Sequence, residues 1–183
     1  SWLAHSTYTG RWRETLERSA ITLKLMTYAP SGGIVAAPTA ALPEQIGGER
    51  NWDYRYTWVR DASFSVYALL GLGFTEEAGA LGLWLRDRVE EQVGGVGGPL
   101  NIMYRVDGSS DLGEETLPHW EGYRGSSPVR IGNGAADQLQ LDIYGEAIDS
   151  LYFAGQRGLE AGHRGWLSMR QVLRCAMACS TAA

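Results

Sequence analysis

Cysteine is nearly missing from this chain: Cys175 and Cys179 are the whole complement in 183 residues. Two thiols four apart near the end make no disulfide framework, and with no further Cys or His beside them they make no zinc site. No ligand cluster elsewhere points to a metal or an organic cofactor, so none is expected. Basic runs are missing as well. Lys plus Arg number 16 against 21 for Asp plus Glu, a net charge of −5, and nothing in that balance attracts a phosphate backbone, which excludes nucleic acid as a partner. No apolar run approaches the roughly 18 residues of a membrane span, and Ser1 to Gly10 lacks the charged-then-apolar layout of a signal peptide. The expectation is a soluble, cytoplasmic protein without a membrane partner. The glycine-rich run Val93-Gly-Gly-Val-Gly-Gly-Pro99 is not a phosphate loop, since no Lys-Ser/Thr follows it.

What is present is a composition that packs: 44% hydrophobic and 10% aromatic residues suit one globular domain. Apolar residues at three- and four-residue spacing predict a helix over about Arg11 to Tyr28, with Trp12, Leu16, Ala20 and Leu23 on one stripe and Ile21, Leu25 and Tyr28 on a second, hence buried on two sides. A second helix is predicted from Arg60 or Asp61 to Gly71 or Gly73, with Asp61 suited to its positive end. A third runs from a Thr75 cap through Glu76 to Gln92, facing the core with Ala78, Leu81, Trp84, Leu85 and Val89. Gly79 and Gly82 within it suggest a close neighbour. The fourth spans Gly134 to Gln156, ended by Gly158, its stripe made of Ala136, Leu139, Ile143, Ala147, Ile148, Leu151 and Tyr152. Leu100 to Val106 is expected to be a short strand or extended segment. Between the helices, Ser31 to Glu49 and Leu112 to Ile131 read as long aperiodic loops, and long loops inside compact domains usually carry function. The fold class expected is all-α.

The densest chemistry lies in Glu49-Arg-Asn-Trp-Asp-Tyr-Arg-Tyr-Thr-Trp-Val-Arg-Asp-Ala-Ser-Phe64. Its Trp and Tyr side chains offer flat apolar platforms for the C–H face of a sugar. Asp accepts from vicinal hydroxyls and the Arg fork donates to them. The alternation of Trp52, Tyr54, Tyr56 and Trp58 with Asp53, Arg55 and Thr57 equally reads as an amphipathic strand with a charged outer face. Seven tryptophans, nine tyrosines and 24 glycines fit a sugar enzyme with looped subsites, and fit an aromatic helical core as well.

Asp53-Tyr-Arg-Tyr-Thr-Trp-Val-Arg-Asp61 is similar to a signature segment of the glucoamylase-type glycoside hydrolases, the inverting family that also holds bacterial trehalases and glucodextranases. The likeness extends through Pro38 to Tyr56 upstream and Pro118 to Gln140 downstream, and covers roughly Arg11 to Leu159. It implies a barrel of six inner and six outer helices, of which this chain would hold the N-terminal part. Residues 1–10 then read as a linker remnant, 11–159 as the toroid portion and 160–183 as a divergent tail. It also implies an exo-acting α-glucosidase, glucoamylase or trehalase, with an oligosaccharide or disaccharide as substrate. Tyr54, Trp58, Arg60 and Asp61 match the family's terminal-glucose subsite. Trp120, Arg124 and Arg130 align to subsites more loosely.

Glycoside hydrolysis needs two carboxyl groups, held about 6.5–9.5 Å apart in inverting enzymes so that a water fits between them. Asp53, Asp61, Glu114, Glu115 and Glu121 are the carboxylates available, and none has the expected catalytic surroundings. Glu114-Glu115 reads as a solvated pair whose side chains diverge, and His119 as a packed loop histidine. Because the family's acid and base segments are not matched here, no catalytic residue is assigned. The isolated chain is expected to lack hydrolase activity. The alternatives are a non-catalytic carbohydrate-binding or regulatory module, and a fragment without function.

Overall fold

The computed structural model describes residues 1–94, 99–156, 167, 170–174 and 176–177. Cys175, Cys179 and Gly158 lie outside them, as does most of the stretch read as a divergent tail. Regular structure is mainly helical: α1 (Arg13–Met26), α2 (Val59–Leu72), α3 (Thr75–Gly94) and α4 (Asp142–Gln156). Among the described residues, six strands of two to four residues join in antiparallel pairs: β1 (Ala40–Pro43) with β2 (Asn51–Asp53), β3 (Thr57–Trp58) with β4 (Met103–Tyr104), and β5 (Glu115–Thr116) with β6 (Arg130–Ile131). Of the two stretches expected to be aperiodic loops, the first therefore holds strand β1, paired to β2 just beyond it, and the second holds the β5–β6 ladder. Strands this short cannot display a two-residue period, which is why sequence pattern passed over them.

The core forms where α2 packs between α3 and α4. Val66, Leu69 and Leu70 of α2 meet Ala78, Leu81, Leu85 and Val89 of α3 and Ile143, Tyr144 and Ala147 of α4, all buried. The predicted apolar face of α3 is thus the observed one. Gly82 in that helix has no close neighbour at its missing Cβ, so the expected close packing there does not occur. The close approach comes from the loop instead, where Gly32 (φ +85°) would drive a Cβ to 2.6 Å from the Ala80 carbonyl. Helix α2 stops at Gly73, whose φ of +94° and N–H to the Leu70 carbonyl give the left-handed cap that glycine adopts without Cβ strain.

Three expectations need correction. Helix α1 is not buried on two sides: Ala20 is its one buried residue, while Leu25 is 73% and Trp12 58% exposed. It meets α2 along one edge, and nothing among the described residues covers the Leu25 side. Helix α4 begins at Asp142, not Gly134. Residues Gly134–Asp137 form a separate 3-10 turn, started by the Asn133 side chain accepting from Ala135 N–H and followed by Gln138 in extended conformation. The spacing of Ala136, Leu139 and Ile143 imitated a helical stripe, yet Leu139 is 51% exposed and Tyr152 57%. His119 is exposed beside the Trp120 ring rather than packed.

Residues 1–10 are seated on the helices. Trp2 stacks on Phe74 with centroids 3.9 Å apart, its indole N–H donates to Glu77 at 2.7 Å, and Thr7 N–H donates to the Leu72 carbonyl at 2.9 Å.

Candidate functional site

The motif segment departs from the amphipathic-strand expectation at Asp53, which is buried, whereas Arg55 is exposed and Tyr56 and Thr57 are both buried. Asn51, Asp53 and Tyr56 point inward and are buried, while Trp52, Tyr54 and Trp58 stay half-exposed. A carboxylate can occupy the buried side only if its acceptors are filled, and those of Asp53 are. Oδ1 accepts from Arg55 N–H (3.1 Å) and Nε (2.9 Å), and Oδ2 from Arg55 Nη2 (2.7 Å), the Tyr56 hydroxyl (2.9 Å) and Gly132 N–H (3.2 Å). Burial by itself would raise the Asp53 pKa. The hydrogen bonds from Arg55 and Tyr56, with the Arg55 charge, outweigh it and hold the carboxyl below its ordinary value. Burial and the neighbouring Asp53 push the Tyr56 hydroxyl up.

This buried knot fastens the motif to the β6 loop. Gly132 N–H also donates to the Tyr56 hydroxyl at 3.0 Å, and Asn133 Nδ2 donates to the Asp53 carbonyl at 3.3 Å. Gly132 has φ +77°, and a Cβ there would lie 2.0 Å from the Gly113 carbonyl. Only glycine allows the two loops to cross so closely. The crossing carries Glu114 to Gly134, whose N–H it accepts at 3.1 Å.

The result is a cleft of about 460 Å³ lined by Trp52, Tyr54, Trp58, Glu114, Asn133, Gly134, Ala135 and Gln138. Aromatic walls with a few convergent polar groups are what a small-ligand site requires, and the volume falls in the usual range of about 300–1,000 Å³. The Tyr54 and Trp58 rings sit 6.0 Å apart, tilted by 46°. Glu44 accepts the Trp52 indole N–H at 3.1 Å, and burial together with the Glu44 charge raises the Tyr54 hydroxyl. The Arg130 guanidinium lies 4.8 Å from the Trp52 ring centroid and donates from Nη1 to the Glu49 carbonyl at 2.7 Å.

Trp58 also borders a second pocket, of about 220 Å³, formed by α1 residues Thr22, Leu23 and Met26, by residues 34–36, and by Asp61, Ala62 and Ser65 of α2. Of the four residues matched to a terminal-glucose subsite, Tyr54 and Trp58 therefore line the larger cleft, while Asp61 lines the smaller pocket with Trp58 between. Arg60 stands at the first turn of α2, with Asp61 at 3.3 Å, Asp142 at 3.5 Å and Gln140 at 3.5 Å. Arg130 does not line the cleft but contacts two residues that do, Trp52 and Glu114. Trp120 and Arg124 are exposed and line neither cavity, Arg124 in a left-handed conformation (φ +51°) over the Tyr123 ring.

The model of glycosyl hydrolases family 15 matches residues 10–175. The chain belongs to that family. Among its relatives, a trehalase of Thermoplasma acidophilum is 45% identical over 157 residues, covering 86% of this chain and 26% of the relative. A trehalase of Mycolicibacterium smegmatis is 50% identical over 141 residues, covering 77% and 21%. Trehalase 2 of Sulfolobus acidocaldarius is 40% identical over 143 residues, covering 78% and 24%. This member of family 15 thus spans about a quarter of the length of the curated relatives it matches. No solved structure matches significantly.

Sequence reasoning set Glu114 aside as half of a solvated pair. Glu115 is exposed on β5, and Glu114, its side chain 30% exposed, lines the cleft. Asn133 and Gln138 were also missed as lining residues. An Asn directly before Gly134 is a capping signal, and it could have marked the turn that brings this wall into place. Among the described residues no group of His, Cys, Asp and Glu could hold a metal ion, and no helix is long and apolar enough to cross a membrane.

Proposed function

We propose that this chain supplies the substrate-holding part of an inverting, exo-acting α-glucosidase, with a glucose disaccharide of the trehalose or maltose kind as its ligand. One observation carries the reading: the half-exposed rings of Trp52, Tyr54 and Trp58 wall a cleft whose polar lining is Glu114, Asn133 and Gln138. Half-exposed aromatics fit the apolar faces of pyranose rings, and the carboxylate and amides fit their hydroxyls. The trehalase names of the relatives favour trehalose. Helices α1 to α4, with loops at one end bearing the cleft, are the portion of an α/α toroid that this chain would provide.

In that reading Trp58 divides two binding positions, one against Asp61, the other against Glu114, while Arg60 lines neither cavity and pairs with Asp61 and Asp142. Asp61 at the positive end of α2 accepts sugar hydroxyls, and the acid and base that flank the scissile bond come from protein beyond these 183 residues. The test is glucose release from trehalose, maltose and maltotriose by the purified 183-residue chain, beside direct binding of the same sugars and an Asp61→Ala control. The expected result is binding without release, with affinity lost in Trp58→Ala. Release abolished by Asp61→Ala would instead place both catalytic carboxyls inside this chain. A folded chain that binds none of the three sugars would refute the proposal.

A further inference from the structure

We infer that Glu114 is a sugar-reading residue, accepting hydroxyls of the ring that lies against Tyr54 and Trp58; the inference rests on the carbohydrate reading above. Glu114 is fixed on both sides. Oε2 accepts the Gly134 N–H at 3.1 Å, and Oε1 lies 3.3 Å from Arg130 Nε, an ion-pair distance off the line of a hydrogen bond. Arg130 is itself immobilised, by the Glu49 carbonyl and the Trp52 ring, with its side chain 16% exposed. A carboxylate has about four lone-pair sites. These partners fill one site well and a second poorly, which leaves acceptor capacity on a group that lines the cleft.

The alternative is that Glu114 serves only to tie β5 to the Gly134 turn. Several features argue for the larger role. The Gly134 bond needs one oxygen, whereas the arrangement aligns a full carboxylate. Arg130 holds that carboxylate in place while staying outside the cleft lining. The remaining wall is aromatic at Trp52, Tyr54 and Trp58, so hydroxyls of a sugar lying on it have few other acceptors than Glu114, Asn133 and Gln138. An ionised acceptor makes the stronger hydrogen bond.

The experiment titrates the full 183-residue chain with trehalose, glucose and the monodeoxyglucoses, comparing wild type with Glu114→Gln and Glu114→Asp. Glu114→Gln keeps an acceptor for Gly134 N–H and is expected to bind glucose about tenfold more weakly or worse, one charge-assisted hydrogen bond being lost. One deoxyglucose should bind wild type that much more weakly and lose nothing further in the variant, since the contact is already gone. Glu114→Asp keeps the charge but withdraws it by one methylene, and is expected to lose affinity at the same ring position. Wild-type affinity in both variants, or a loss spread equally over every deoxy sugar, would overturn the inference while leaving the carbohydrate reading intact. A folded wild-type chain that binds no sugar would overturn both.

Discussion

Replacing Asp53 by Asn exchanges a buried acceptor for a group of the same shape whose amide protons face donors. Asp53 is fully buried and takes five hydrogen bonds, three of them from Arg55. Breaking a buried ion pair by removing one partner costs about 3–5 kcal/mol. Arg55 is 47% exposed and recovers some hydration, which points to the low end, about 3 kcal/mol. For a chain of this length that is a fall in melting temperature of roughly 6–12 °C. The pH dependence has a definite sign. The Asp53 carboxyl is held below its ordinary 3.8 in the fold, so its contribution is fully present above 3.8 and is lost as pH falls through the folded value. Thermal unfolding followed by circular dichroism at pH 7 should show the full gap between wild type and variant, and the gap should narrow as pH drops below 3.8. Following the gap rather than wild type alone removes the similar contribution of Glu77. A variant within about 0.5 kcal/mol of wild type at pH 7, or a gap that persists unchanged into strong acid, would refute the assignment of Asp53 as the charge-bearing tie.

Gly132→Ala places a methyl group 2.0 Å from the Gly113 carbonyl at a φ of +77°; it should destabilise by more than about 2 kcal/mol and abolish sugar binding by the folded fraction, read by titration. Glu77 is 7% exposed and accepts from Trp2 and Lys24, so Glu77→Ala should cost about 2 kcal/mol and free the Trp2 ring, visible as a red shift in indole fluorescence. Its carboxyl is held low against the opposing effect of burial by Lys24, its own backbone N–H and Trp2, so the cost should shrink in acid as wild-type Glu77 protonates. Burial lifts the Tyr104 hydroxyl to about 12; absorbance titration of wild type and Tyr104→Phe should coincide to about pH 11 and separate above it.

Much of this protein follows from local sequence. Helix α3 and its buried face were legible because Ala78, Leu81, Trp84, Leu85 and Val89 hold a helical period for several turns; the end of α2 was legible only to Gly71 or Gly73, and the fold places the left-handed cap at Gly73. The motif from Asp53 to Asp61 carried its family in its letters. What tertiary structure decided was direction. Alternation in residues 51–58 says that two faces differ, but not which is covered; packing against β1 and the Gly132 loop put Asp53 and Tyr56 inside and left Trp52, Tyr54 and Trp58 half-exposed. Glu114 and Gly134 are 20 residues apart, and their meeting depends on the Gly132–Gly113 crossing, which no local pattern encodes. Helix α1 shows the same division: its sequence specifies a helix with two apolar stripes, while which stripe is buried depends on neighbours that only the folded chain supplies.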